Sequence, residues 1–316
     1  MLEILEKVIS IFLIIGVGFF AGRKKMLPDG TRASLSALTL KITCPSMILA
    51  ATLSHEVSDS TLSVTVWSIV LSLMFFVLFI IVGYIVSKYV LREKDNETVG
   101  MYTYGFHTTN TGFFAFPVTL ALFGNSIFYV VVMQNTIMSF FLFGLGLIAI
   151  DMITGKGSFN FKSLYGILRS PPIVASFLGI ALMFSGIALP APLLESISII
   201  GSSTTPLSMI LVGLMLADCD IRALLTDKGL IAFSAIKNVL MPILCWLILA
   251  PLPVHNDVKV GLIFAFAFPT AVMVAPMVES YGYKPDKAAE MIAMTTIISI
   301  VTIPVCAALL TAYYGL

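Results

Sequence analysis

Gly105-Phe106-His107-Thr108-Thr109-Asn110-Thr111-Gly112-Phe113-Phe114-Ala115-Phe116-Pro117 sits in the middle of an apolar run that extends from about 98 to 123. Thr108 to Thr111 are four consecutive polar side chains, and a helix facing lipid does not tolerate them without a partner or a cavity. Pro117 closes the stretch, and proline cannot donate to a helix ladder. A second interruption, Phe268-Pro269-Thr270-Ala271-Val272-Met273-Val274-Ala275-Pro276, falls inside the apolar run 258 to 282. Breaks of this kind survive in hydrocarbon only where protein, water or a ligand satisfies the freed amides and carbonyls.

The two broken segments are related by an offset that recurs along the chain. Thr43-Cys44-Pro45-Ser46-Met47-Ile48-Leu49 is echoed by Thr204-Thr205-Pro206-Leu207-Ser208-Met209-Ile210-Leu211. Pro45 and Pro206, Gly100 and Gly261, and Met133 and Met294 are each 161 residues apart. One half of the chain therefore reads as a diverged copy of the other, the signature of transporters built from internal repeats.

Composition places both halves in a membrane. Of 316 residues 59% are hydrophobic and 11% charged, against roughly 25% charged in a soluble domain. The mean hydropathy is +1.03, so the chain is expected to be an integral membrane protein. A net charge of +1 points to no nucleic-acid partner. Cys44, Cys219, Cys245 and Cys306 are scattered through apolar stretches and show neither disulfide nor metal spacing, and no metal or cofactor is expected.

Apolar runs long enough to cross a bilayer number ten, near 4–22, 33–54, 61–90, 98–123, 126–153, 171–189, 194–217, 229–250, 258–282 and 287–314. The first is preceded by Glu3 and Glu6 and followed by Arg23-Lys24-Lys25, the reverse of a secretory signal, and reads as a retained helix. With both termini outside, 14 of the 18 Lys and Arg residues fall in inner loops, as the positive-inside rule requires. Five spans per half is odd, so the two copies enter from opposite faces as inverted repeats. The expected organisation is a first five-helix repeat at 1–155, a cytosolic linker at 156–170 and a second repeat at 171–316.

The polar groups left inside the spans define the candidate site. Half-helices starting at Pro117 and at Pro276 would point free N–H groups and positive dipole ends at the membrane centre, where an anion is stabilised. No carboxylate lies deep in a span: Asp151, Asp218, Asp220 and Glu279 fall near inner ends and Glu195 near an outer end. Asn110, Thr111, Gly112, Pro117, Pro269, Thr270 and Pro276 are the candidate substrate contacts, with Pro45 and Pro206 on neighbouring helices. Gln134 and Asn135 follow the first break as Thr295 and Thr296 follow the second, and equivalent polar pairs suit either one cavity or interhelical hydrogen bonds. His107, Lys237 and Asn238 are candidates for a charge- or proton-linked role, while Lys41, nearer the inner face, reads as snorkelling. Gly18-Phe19-Phe20-Ala21-Gly22 has small-xxx-small spacing, which serves packing within the chain as readily as dimer formation.

These residues resemble the auxin efflux carrier family, which also contains bacterial malonate and malate permeases. The resemblance covers nearly the whole chain and rests on Asn110-Thr111, Pro117 and Gly124, the proline-interrupted ninth segment, Tyr281-Gly282-Tyr283-Lys284-Pro285-Asp286 and Ile303-Pro304. It implies an all-α fold of ten transmembrane helices in two inverted repeats, with broken helices 4 and 9 crossing, as in bile-acid symporters and NhaA. It further implies a scaffold of segments 1, 2, 6 and 7, and a transport domain of segments 3–5 and 8–10 that moves as an elevator, often in a homodimer. Asn110 and the backbone around Pro117 and Pro276 would then meet a substrate carboxylate, with Pro45 and Pro206 facing them. The chain lacks the long cytosolic loop of plant auxin carriers, and its third segment lacks their acidic and basic residues, which points away from auxin itself.

Other classes lack their parts. No phosphate-binding loop is present, and His55-Glu56 has no second histidine at metalloprotease spacing. Thr98-Val99-Gly100-Met101-Tyr102 lacks the last glycine of a potassium filter, and the sequon Asn96-Glu97-Thr98 falls on the inner side. The expected function is secondary transport of a small organic anion, a mono- or dicarboxylate, across a bacterial inner membrane, without enzymatic chemistry. The alternatives are a sodium-coupled symporter of the same architecture, with Asn110, Gln134 and Asn135 as ion ligands, and a non-transporting sensor that keeps the fold.

Overall fold

A chain this apolar has to satisfy its own backbone, and a helix does so within each segment. The computed structural model describes residues 2–54, 60–155, 169–187, 189–219, 224–280, 282–283 and 285–316, and among them every regular element is helical. His55-Glu56, Asp220, Tyr281, Lys284 and all of the expected linker except Arg169 and Ser170 lie outside the described residues.

The helices follow the apolar segments. α1 (Leu2–Arg23) is the first. α2 (Thr31–Leu38), a π-helical turn at Thr39–Thr43 and α3 (Cys44–Leu53) form the second. α4 (Thr61–Ile85) is the third and ends in a π turn at Val86–Val90. α5 (Asn96–His107) starts the fourth, capped by the Asp95 carboxylate, which accepts from the Thr98 amide at 3.0 Å. After residues 108–110, a π turn at Thr111–Ala115 leads into α6 (Phe116–Phe140). Gly124 inside α6 has φ 74° and ψ −167°, a conformation closed to other residues, and there the fourth segment turns into the fifth. A further π turn, Phe141–Leu145, and α7 (Gly146–Thr154) complete the first half.

Among the described residues of the second half the regular elements are helical too, without π turns. α8 (Pro171–Ser185) is the sixth segment, and α9 (Ala191–Ser202) with α10 (Thr204–Ala217) the seventh. α11 (Lys228–Leu249) is the eighth, α12 (Asn256–Phe266) and α13 (Val274–Ser280) flank the second break, and α14 (Pro285–Tyr314) is the tenth. Two of the π turns end just before a proline, Pro45 or Pro117. The proline ring clashes with the carbonyl four residues back in a regular helix, and the wider turn relieves that clash.

Against ten expected spans, six described helical stretches are by themselves long and apolar enough to cross a membrane. Four segments make up the difference. The first and sixth offer only the shorter apolar helices Ile9–Arg23 and Pro171–Ser185, the ninth is divided into α12 and α13 with 11 and 7 residues, and the fourth and fifth run together as one stretch, Asn96–Phe140.

Helices from opposite halves pack closely. α1 lies along α10, where a Cβ on Gly18 would come within 2.2 Å of the Ile210 carbonyl oxygen and one on Gly213 within 2.1 Å of the Ile15 carbonyl oxygen. α8 lies along α3, with Gly179 against Thr52. Gly18 and Gly179 are 161 residues apart, and so are Thr52 and Gly213, so the two contacts correspond under the sequence offset. The Gly18–Gly22 stripe is therefore occupied from within the chain, Gly22 meeting Ala217. α4 packs on α5 and α6 as α11 packs on α12 and α14. Tyr283 reaches across to the first half, donating to the Asp151 carboxylate at 2.7 Å.

Candidate functional site

The two breaks touch. The Asn110 amide donates to the Pro269 carbonyl at 2.7 Å, so the backbone freed in one half is completed by backbone freed in the other. Around this bond the remaining freed groups find side chains. The Thr109 amide and hydroxyl both lie 3.4 Å from the Met138 sulfur, a weak acceptor that suits an apolar interior. The Thr108 hydroxyl donates to the Tyr104 carbonyl at 3.1 Å. In the second break, the Thr270 amide donates to the Thr295 hydroxyl at 3.1 Å and its own hydroxyl to the Gly105 carbonyl at 3.0 Å. Lys237 Nζ, fully buried, donates to the Phe268 carbonyl at 3.0 Å, and Asn238 Nδ2 to the Thr295 carbonyl at 2.8 Å.

The half-helices do not start at the prolines. After the first break, helical backbone resumes at Thr111, six residues before Pro117, which is buried in the first turn of α6. After the second it resumes at Val274, two before Pro276. The start is set by the loss of helical geometry at Thr108 (φ −87°, ψ 140°) and Asn110 (φ −77°, ψ 72°), with Pro117 accommodated by the π turn upstream. Thr111–Ala115 and α6 form one continuous helical stretch whose first amides lack an acceptor within the helix.

Two cavities flank the contact. The first, about 240 Å³, is bordered by Asn110, Thr111, Gly112, Asn135, Met138, Ser139 and Lys41, with Ala271 to Met273 opposite and Ser170 to Pro172 at its rim. The second, about 300 Å³, is bordered by Asn110, Val272, Pro276, Ile292 and Thr296, and by Arg32 and Asp218, which form an ion pair. Asn110 and Val272 thus form the partition between them. The Asn110 side chain is only 3% exposed, and its amide has no hydrogen-bond partner among the described residues.

The structure gathers part of the expected set. Asn110, Thr111, Gly112 and Asn135 border the first cavity and Pro276 the second. Pro269 and Thr270 serve the contact itself, and Gln134 Nε2 donates to the Thr109 hydroxyl at 3.4 Å. Pro45, Pro117 and Pro206 border neither cavity; Pro206 is exposed. His107 is buried with Nδ1 3.1 Å from the Thr103 carbonyl, and Lys237 also borders neither cavity. Asn238 borders a third, apolar cavity of about 530 Å³ between α11 and α14. Met138 and Ser139 were not among the expected residues, although each lies one helical turn on from Gln134 or Asn135, a spacing that puts them on the same face.

Sequence comparison fits this geometry. Residues 3–152 and 157–307 match the family described as membrane transport protein. The chain belongs to that family, the auxin efflux carrier family. The match comes in two parts, with residues 153–156 between them. Among its relatives is an "Uncharacterized transporter" of Methanocaldococcus jannaschii, 25% identical over 95% of this chain and 96% of the relative. Another "Uncharacterized transporter", from Methanothermobacter thermautotrophicus, is 23% identical over 95% of this chain and 96% of its own length. A "Putative malonate transporter" of Rhizobium meliloti is 28% identical over 42% of this chain and 41% of the relative. Family membership and the apolar helices make this a multi-pass membrane protein of a transporter family.

Proposed function

We propose that this chain is a secondary transporter that carries a small organic anion, a mono- or dicarboxylate, by elevator-type alternating access. The observation that carries the reading is the contact of the two breaks, with a buried Asn110 side-chain amide, unpartnered among the described residues, at the partition between two cavities. Interrupted helices that face each other and a cavity are where transporters of this kind bind substrate. In this reading the ten segments span the membrane as two inverted repeats, 1–155 and 171–316. Helices 1, 2, 6 and 7 are the scaffold and helices 3–5 and 8–10 the moving body. The close α1–α10 and α3–α8 contacts, matched under the 161-residue offset, suit a rigid scaffold of two repeats.

Asn110, Thr111, Gly112 and Asn135 are assigned to the carboxylate, with Thr270 and Pro269 holding the crossing. Both cavities run from the crossing toward Lys41, Ser170, Arg32 and Asp218, residues that the positive-inside rule places at the cytoplasmic side. The conformation is then inward-facing, in a cytoplasmic membrane with both termini outside. A homodimer belongs to the same reading and would use a face other than the Gly18–Gly22 stripe, which α10 fills. The malonate named for the Rhizobium meliloti relative makes short carboxylates the first substrates to try.

The test is uptake of labelled mono- and dicarboxylates into proteoliposomes, with and without sodium and pH gradients. Uptake above empty vesicles supports transport, and dependence on sodium would replace the uncoupled or proton-linked reading by the symporter. Binding without any uptake would leave a sensor.

A further inference from the structure

The first cavity contains a charge that the transport reading leaves unused. Lys41 borders it, is exposed, and has no ion pair or hydrogen bond among the described residues. The situation differs in the second cavity, where Arg32 is closed on Asp218. Among the described residues no Asp or Glu borders the first cavity, and Lys41 is the one charged residue of its lining. From these facts we infer that the cavity takes a substrate with two carboxylates, one at Asn110 and the second at Lys41, and that Lys41 selects dicarboxylates over monocarboxylates. The inference rests on the carboxylate transport proposed above and assigns it a specificity-determining residue.

Local structure puts the ammonium there. Lys41 lies in the middle of the π turn Thr39–Thr43, next to Leu40, which also borders the cavity. One extra residue in a turn rotates everything beyond it by about 100° about the helix axis. That rotation separates the Leu40–Lys41 face from Thr43 and Cys44, which are buried in the protein. A lysine whose only role was to snorkel would not need to border an internal cavity.

Charge balance sets the ligand class. A carboxylate brought to Asn110 meets the side-chain amide and the Gly112 and Phe113 amides of the helical stretch that begins at Thr111, all neutral donors. A second carboxylate in the same apolar surroundings is costly to desolvate unless a cation meets it. Lys41 supplies that cation from the facing helix, and a monocarboxylate leaves it without a counter-ion. The volume of about 240 Å³ lies below the range of drug-sized pockets, roughly 300–1,000 Å³, which suits a short-chain diacid.

The experiment compares the full-length protein in detergent and in proteoliposomes with malonate and succinate, and with propionate and butyrate as chain-length-matched monocarboxylates. Wild type should bind and transport the diacids in preference. Lys41→Gln should lose roughly two- to fivefold of diacid affinity, as for an exposed charge pair, with monocarboxylate binding little changed. Lys41→Arg should retain the preference. A Lys41→Gln variant that keeps the wild-type diacid to monoacid ratio overturns the assignment. So does a wild type that prefers monocarboxylates, an outcome that leaves carboxylate transport standing. Failure of wild type to bind or carry any of the four overturns both readings. The wild-type preference is measured independently of how well either variant folds.

Discussion

Lys237 and Asn110 are both buried polar residues at the crossing, yet the physics assigns them opposite costs. The Lys237 ammonium is fully buried and makes one hydrogen bond among the described residues, to the Phe268 carbonyl. Such a bond returns about 1.5–3 kcal/mol, while desolvating an unpaired ion costs several kcal/mol. Lys237→Met should therefore raise thermal stability in detergent while lowering uptake. A drop in the melting temperature with unchanged uptake would make Lys237 a structural residue and end its candidacy. Asn110 is different because its backbone and side chain do separate jobs. The amide that holds Pro269 survives in Asn110→Ala, so the fold should persist. What should disappear is stabilisation by saturating carboxylate, which for wild type at about 100 times Kd amounts to about 2.7 kcal/mol. Undiminished stabilisation of the variant would move the anion site elsewhere. Both residues could be read from the sequence because a charged or amide side chain inside an apolar span has few explanations. Pro117 could not be placed correctly in the same way. Proline marks where a helix loses a donor, but the break itself is set upstream at Thr108 to Asn110 by contacts with Met138 and Pro269, which are remote in sequence.

At the level of elements, the ends of the helices carry the pH dependence. Asp227 caps α11 by accepting from the Leu230 amide at 3.0 Å and joins it to α14 by accepting from Lys287 Nζ at 2.9 Å. Partial burial pushes its carboxyl upward, but the Leu230 amide and the Lys287 ammonium outweigh this and hold it below the usual carboxylate value. A depressed folded-state value stabilises the fold above the carboxylate's ordinary range, and the contribution is lost as pH falls through the folded-state value. Asp227→Asn should therefore be less stable than wild type near neutral pH, and the two melting curves should converge in acid. Parallel curves at all pH values would exclude this linkage. The capping role matches a pattern visible in the sequence, an acidic residue just before an apolar run. The tie to Lys287 does not, because α11 and α14 are adjacent only in the folded chain. The π turns were equally hidden, since two of them precede a proline whereas those at Val86–Val90 and Phe141–Leu145 do not.

For the whole molecule, the all-helical membrane character was legible because apolar length is a property of sequence alone. The state of the cavities was not, because a carrier can open to either side with the same sequence. In the conformation described, Ser139 lines the first cavity together with Lys41 and Ser170, whereas Asn256 is exposed at the start of α12, which the proposed topology puts on the outer side. This predicts a definite pattern of chemical access. With Cys44, Cys219, Cys245 and Cys306 replaced, Ser139→Cys in oriented vesicles should react with a membrane-impermeant thiol reagent from the cytoplasmic side only. Asn256→Cys should react from the outside only. If the cavity is the substrate path, succinate should also slow labelling at Ser139→Cys and leave Asn256→Cys unaffected, because the ligand shares a lining with the first residue and none with the second. Labelling of Ser139→Cys from the outer side alone would invert the orientation derived from Lys and Arg placement. Labelling that succinate does not touch would separate the cavity from transport, even with the crossing of the two breaks intact.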